Sequence, residues 1–574
     1  MPIVWWSLRL ALLGYAACAF SIATAQTIPD AGVLQRDSER SLQPPRLSEP
    51  VPTKRGDAQP LAETQQGAVT VKQFVIDGAN LIPVEELQGV IADSIGKTLT
   101  FPELEHVAQR ISEHYRKYGW FVRVFLPRQD VTNGIIHIQI IEGYYGGASI
   151  QQDGARANGK YVSSVITHRL KEGEPLSAAN LERGLLIAND LSGIQATGRL
   201  VPGQESGETR LDIHVEDTPF VTGDIGANNF GNKYTGTEQM VGGLALNNLT
   251  GRGDQVSLRA LVAKDIYSAR LQYVLPVGAD GWRLITHGST LGYRLGGRYA
   301  SLDAKGKAYT AGLTLSYPLI RQSDRNLTIG AGYEYRRYDD DALGAALRRQ
   351  RVNALSLQFS GDLRDEILGG AINWGAVQLV RGNLNLDRVP ADAATDSAGP
   401  RTQGDYTKLA FQLNRLQALG AGSGWQVLLG LSGQVADRNL GSSERLSLGG
   451  PFGVRAYPIN EGMGDEGVIF KFEVQRSLGH GWQAAVFYDL GYIRQHKDIW
   501  SGWDGGTNQP NSFHLSGIGA GINWYGTGAA SGWVLKASVA TPLGSNPVAN
   551  AQNENNDGSS ASSTRFWVNL SKSF

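Results

Sequence analysis

The sequence predicts a chain of mixed class, α+β and then all-β: two small α+β domains in tandem, followed by a sixteen-stranded transmembrane antiparallel β-barrel. Three observations predict it. The order strand, helix, helix, strand, strand occurs between Val69 and Ile141 and recurs between Ala148 and Val215. From Phe220 onward the helical period disappears, and alternating segments of about 10–16 residues follow one another, bounded by Gly, Asp or Asn. Connections after even strands are short, as at Gly278-Ala279-Asp280-Gly281, whereas those after odd strands are mostly long, as at 385–402, 439–467, 495–511 and 544–563. Short turns on one side of a membrane and long loops on the other are the rule for outer-membrane barrels.

Bulk properties narrow the class further. At 574 residues the chain is too long for one compact domain, and a net charge of −1 argues against a nucleic-acid binder. The apolar run Leu8–Ala25 ends in Ala23-Thr24-Ala25 and reads as a secretory signal peptide over residues 1–25, cut before Gln26. Beyond it, no run reaches the roughly 18 apolar residues of a transmembrane helix. Cys18 is the sole cysteine and the nine histidines are scattered singly, so thiol catalysis and metal ligation have no candidates. No cofactor and no metal are expected.

Along the chain, residues 26–43 read as a short helix, polar nearly all round, which therefore needs a wet cavity. Prolines 44, 45, 50, 52 and 60 make residues 44–68 an extended linker. In the first small domain (69–145), Leu104, Val107, Ile111 and Tyr115 mark one apolar helical face over Pro102–Tyr118, and Gly119 stops that helix. In the second (146–217), Ser177 is an N-cap, and Leu181, Leu185 and Ala188 give the buried face. The barrel then occupies 218–574. Its alternation is visible in Gln255–Val262 and in Phe470-Lys471-Phe472-Glu473-Val474, apolar side chains to lipid and polar ones to the lumen.

Two groups of residues carry a resemblance. Tyr118-Gly119, Leu126-Pro127-Arg128-Gln129, Gly134, Glu142-Gly143 and Leu181-Glu182-Arg183 through Asn189-Asp190-Leu191 resemble a pair of POTRA domains. In the long outer loop 439–467, the sixth by parity, Leu448 to Gly467 surrounds one cation, Arg455, with glycines, and Phe487-Tyr488-Asp489-Leu490-Gly491 follows in a strand pattern. Together they resemble the signature of the two-partner secretion transporters, the family of the filamentous-haemagglutinin and haemolysin exporters. The resemblance implies that Arg455, flanked by Gly453, Val454 and Tyr457, lies at the tip of a loop folded into the barrel. There it pairs with Asp489, beside Phe487 and Gly491, with Glu461 and Asp465 as competing partners. Ala456 stands where the family often has Gly, a change expected to stiffen the turn. The N-terminal helix is then a plug that leaves during transport. Phe574, closing an alternating strand, resembles the signal read by the barrel assembly machinery.

The implied function is an outer-membrane pore in a Gram-negative envelope, surrounded by lipid, with POTRA domains in the periplasm. These bind a large unfolded exoprotein through its N-terminal secretion domain, and the exoprotein passes through the barrel to the cell surface. An insertase of the same superfamily is the alternative; two POTRA domains with a plug and linker favour transport. A porin needs no POTRA domains, and no enzyme is expected, since no nucleophile elbow, Walker lysine or paired catalytic carboxylates appear. Arg252-Gly253-Asp254 falls in a short periplasmic turn rather than an adhesive loop, Gly517-Ile518-Gly519-Ala520-Gly521 is barrel wall, and Asp339-Asp340-Asp341 is a solvated acidic loop tip.

Overall fold

The computed structural model describes residues 28–43, 68–154, 156–420 and 422–574. The signal peptide expected over 1–25 and nearly all of the linker lie outside them. In the first small domain, Thr100 and Glu103 form a capping box that starts the helix Phe101–Lys117. The helix buries Leu104, Val107, Ile111 and Tyr115 against a three-stranded sheet in which Ile135–Glu142 is central, parallel to Gln73–Asp77 and antiparallel to Val122–Phe125. Gly119 has φ +79°, a left-handed conformation that suits glycine and lets the chain leave the helix. The expected first strand is split, Ala68–Thr70 pairing with Thr98–Thr100 apart from the main sheet.

The second domain repeats the design. Ser177 accepts from the Asn180 amide to open the helix Ala178–Asn189, and the sheet centres on Glu208–Asp217, flanked by Tyr144–Asp153 and Ile194–Pro202. This domain is docked on the periplasmic turns of the barrel by paired forks. Arg169 reaches both oxygens of Asp280 at 3.0 and 3.1 Å, and Arg321 both oxygens of Asp190 at 2.9 and 2.8 Å. Such bidentate pairs fix orientation as well as distance. The Arg252–Asp254 turn rests on the same domain, with the Gly251 carbonyl accepting from the Asn158 amide at 2.8 Å.

Sixteen antiparallel strands, from Val221–Asn228 to Arg565–Ser573, close into a barrel. The closing seam is short. It pairs Asn569–Ser573 with Asp224–Asn228, and above it the Asn229 side chain takes over, bonding the Phe566 carbonyl and the Val568 amide at 2.8 Å each. Strands 6 to 8 (Lys305–Arg321, Arg325–Ala342 and Ala345–Asp365) are longer than a bilayer needs and project outward. Asp339, Asp340 and Asp341 belong to strand 7, which corrects the expected acidic loop tip; Asp340 is buried and points inward.

The lumen also departs from a uniformly polar wall. In its outer half, Val241, Leu261, Leu291, Tyr293, Tyr338 and Val352 form an apolar cluster with Ala31, Leu34 and Leu42 of the N-terminal segment. Helix Ala31–Ser41 therefore has a buried face, unlike the all-polar helix the sequence suggested. Three apolar side chains suffice because the wall supplies the rest of the core.

Candidate functional site

Loop 6 connects strand 11 (Trp425–Ala436) to strand 12 (Glu466–Gly479) and folds back into the lumen as a compact hairpin. Its base is tied by pairing of Leu446–Ser447 with Met463–Gly464. Glycine is required where backbone crosses backbone: a Cβ on Gly453 would lie 1.9 Å from the Leu448 carbonyl oxygen, and one on Gly449 would lie 2.1 Å from that of Pro458. Leu448, Val454, Ala456 and Tyr457 then pack against Ile469, Phe487, Phe513 and Leu515 of the wall. The wall yields room for them. A Cβ on Gly517 would meet Ala456 at 2.4 Å, and one on Gly491 would meet Leu448 and Val454 at 2.8 and 3.1 Å.

This packing delivers Arg455 to two carboxylates. Its Nε and Nη2 donate to the two oxygens of Asp489 at 2.8 and 2.9 Å, its Nη1 to Glu473 at 2.7 Å, and its backbone amide to Asp489 at 3.1 Å. The guanidinium also lies 3.2 Å from the centroid of the Phe487 ring. Asp489 is 1% exposed, so the pair is largely removed from water. A planar fork between carboxylates and over an aromatic face is a task for arginine rather than lysine.

The other acids of the loop have different partners, which corrects their reading as competitors for Arg455. Asp465 is fully buried and binds Arg445 at 3.0 Å, the Leu440 amide and the Lys497 amide. Glu461 accepts from the Asn546 amide nitrogen at 2.7 Å and the Asn556 backbone at 2.8 Å, clamping loop 6 to the last outer loop. Burial pushes the Glu461 carboxyl up to about 7. Tyr457 is fully buried, and its hydroxyl has no hydrogen-bond partner.

Two contributors were missed by sequence reasoning. Glu473 had a signal: alternation places it on the inward face with Lys471 and Gln475. Trp567 had none, for its indole Nε1 donates to the Arg455 carbonyl at 2.7 Å from a strand 112 residues away, next to the seam. Phe230 stacks edge-on against both Trp567 and Phe452, so the loop tip touches both sides of the closing seam.

Helix Ala31–Ser41 fills the lumen beside this hairpin. Asp30 caps it, accepting from the Val33 amide at 2.9 Å, and also meets Arg348 at 3.0 Å and Ser442 at 2.6 Å. Asp340 accepts from the Ala31 amide at 2.9 Å. Asn460 of loop 6 accepts from Arg36 and donates to Asp37, linking helix to hairpin. A cavity of about 550 Å³ remains, lined by Arg40, Arg259, Arg455, Lys471 and Lys536 together with Asp224 and Glu473. Phe574 is exposed and pairs with Gly223 of the first strand through two backbone bonds of 2.9 Å.

Comparison with known proteins agrees with this fold. The profile of the haemolysin secretion/activation protein family ShlB/FhaC/HecB matches residues 207–524, and that of the ShlB-type POTRA domain matches residues 69–143. The heme/hemopexin transporter protein HuxB of Haemophilus influenzae (strain 86-028NP) is 27% identical over 98% of this chain and 97% of its own length. The outer membrane transporter CdiB of Dickeya dadantii (strain 3937) is 23% identical over 85% of this chain and 88% of its own. Among solved structures, CdiB from Escherichia coli superposes with a TM-score of 0.66 at 20% identity, covering 94% of this chain and 95% of that one. With the family profile matching more than half of its length, the chain belongs to the haemolysin secretion/activation family, outer-membrane transporters of two-partner secretion whose POTRA domains lie in the periplasm.

Proposed function

We propose that this transporter binds the N-terminal secretion domain of a large unfolded exoprotein with its POTRA domains and passes it through the barrel once helix 31–41 has left the lumen, while the Arg455 fork holds loop 6 in position. The observation that carries this reading is the paired occupancy of the lumen. A 16-stranded barrel is blocked by two elements that hold each other through Asn460, Arg36 and Asp37 and are fixed to the wall by small apolar clusters together with polar contacts. The polar link between helix and hairpin suits a removable plug, because water can replace each of those bonds when the helix moves, and only three apolar side chains must leave the wall cluster. An open POTRA sheet edge accepts an extended segment through main-chain hydrogen bonds and so binds a client without demanding one sequence. Periplasmic nucleotide is not needed, since folding of the client outside makes the passage downhill.

The curated relatives that align in sequence over nearly their whole length are named heme/hemopexin transporter proteins, which supports a partner linked to heme or hemopexin. Insertion of this barrel by the assembly machinery is assigned to the last strand and the exposed Phe574 ring. The decisive experiment measures release of a co-expressed candidate exoprotein from cells carrying this chain, its Arg455→Ala variant, or neither. Release that needs the wild-type chain supports the reading. Release without the chain, accompanied by failed assembly of other barrels, would instead make it an insertase.

A further inference from the structure

Strands 6, 7 and 8 carry a basic patch on their lipid-facing side that transport leaves unexplained. The outward face is fixed by alternation: Leu313, Tyr309 and Lys307 on strand 6, Tyr333 and Arg337 on strand 7, and Leu355, Leu347 and the odd positions between them on strand 8. Even positions of strands 7 and 8, such as Tyr338, Asp340, Val352 and Ala354, are buried inside. Register aligns Tyr309, Arg337 and Arg351 in one row, and Lys307, Asp339 and Arg349 in the row above.

The height of these rows follows from strand geometry. A strand rising about 3.4 Å per residue at a tilt near 40° climbs roughly 2.6 Å per residue along the membrane normal. Trp282 stacks on Tyr317 at the periplasmic end, with ring centroids 4.6 Å apart. Tyr309 lies eight residues above Tyr317, about 21 Å, and Lys307 lies about 26 Å above it, against an apolar band about 25 Å tall. Tyr309, with Tyr335 one row below it, thus marks the outer aromatic girdle, and the cations stand beside and above it at the level of outer-leaflet headgroups.

The charges do not cancel. Arg337 forks onto Asp339 at 2.8 and 3.1 Å, and Arg349 is paired with Asp341 and lies 3.7 Å from Asp339. That leaves two cations. Among the described residues Lys307 has no ion pair, and the Arg351 Nε, shielded from solvent, has no hydrogen-bond partner. They stand on strands 6 and 8, either side of strand 7 and one row apart, so their backbones are about 12 Å apart and their long side chains reach toward one headgroup between them. Unpaired cations beside an aromatic girdle, facing lipid, attract a fixed anion of that leaflet. We propose that Lys307 and Arg351, braced by Arg349, bind the phosphates of an outer-leaflet glycolipid.

The test titrates purified full-length transporter in detergent with bisphosphorylated lipid A, its dephosphorylated form, and inorganic phosphate, reading bound ligand by native mass spectrometry. Wild type should prefer the bisphosphorylated lipid, and Lys307→Gln/Arg351→Gln should lose about tenfold or more in affinity, the loss of charge-assisted contacts. Lys572→Gln, a cation over Trp533 at the other rim, should bind as wild type. Equal binding by the double variant, or of the dephosphorylated lipid by wild type, would overturn the proposal. Displacement of the lipid by inorganic phosphate at equal concentration would make the patch a simple anion site and overturn the lipid assignment. If the double variant does not form a heat-modifiable barrel, Lys307→Gln alone decides, because that side chain is exposed and holds nothing in place; unchanged affinity there counts against the site.

Discussion

Replacing Arg455 by alanine removes one cation from between two acids, and the structure sets the size of the effect. Asp489 is 1% exposed and would lose both members of the fork, keeping only the amide of residue 455; Glu473 would keep only Gln475. Breaking a buried pair on one side costs about 3–5 kcal/mol. The 14% exposure of the Arg455 side chain argues for the lower half of that range. A cost of about 3 kcal/mol corresponds to a shift of roughly 150-fold in the equilibrium between docked and undocked loop. The barrel itself should survive, because its ladder is independent of the hairpin. The expected phenotype is therefore a normally abundant, heat-modifiable barrel whose loop 6 becomes protease-sensitive and whose exoprotein export falls by at least tenfold. Arg455→Lys should rescue only in part, since a point charge cannot fork onto Asp489 and reach Glu473 together. The pairing itself is checked by a double-mutant cycle with Asp489→Ala: coupling between the two sites of about 1 kcal/mol or more is expected. Wild-type export from Arg455→Ala with a protected loop, or strictly additive losses in the cycle, would refute the reasoning.

Three further outcomes follow from the same geometry. Gly453→Ala should cost about 1–3 kcal/mol of loop stability and undock the hairpin with the barrel intact, because the new Cβ would lie 1.9 Å from the backbone oxygen of Leu448; unchanged loop proteolysis would count against it. Asp30→Ala should remove about 1 kcal/mol of capping and leave Arg348 without its closest partner, raising single-channel conductance in planar bilayers; a pore as closed as wild type would show that the cap does not hold the helix. The clamp from Glu461 to Asn546 and Asn556 should depend on pH. Its carboxyl is raised from 4.5 to about 7, so the docked loop holds the proton more tightly than a free loop does. The clamp is then strongest below about 4.5 and weakens as pH rises through 7, giving faster proteolysis of 544–564 at pH 8 than at pH 5.5. Glu461→Gln, fixed in the neutral form, should abolish that difference; a pH dependence that persists in it would assign the effect elsewhere.

Much of this was legible in the chain by itself, because the information is periodic or local. Alternation in segments such as Gln255–Val262 and the parity of loop lengths fix a closed even-stranded barrel, since a membrane leaves no other home for strands with one apolar face. Helical spacing from Leu104 to Tyr115, with Gly119 as its stop, does the same for the first POTRA domain. The setting of Arg455 among glycines, and Asp489 in an inward strand, marked the loop and its anchor. What the tertiary structure decided depends on register and on residues far apart in sequence. That Glu473 shares Arg455, that Asp465 goes to Arg445 and Glu461 to Asn546, and that Asp340 turns inward to receive the Ala31 amide all depend on which strand face is brought to which depth. The helix 31–41 looked coreless because the apolar surface it packs on belongs to strands more than 200 residues away. Local pattern states what a side chain needs; only closure of the barrel determines which partner stands within reach.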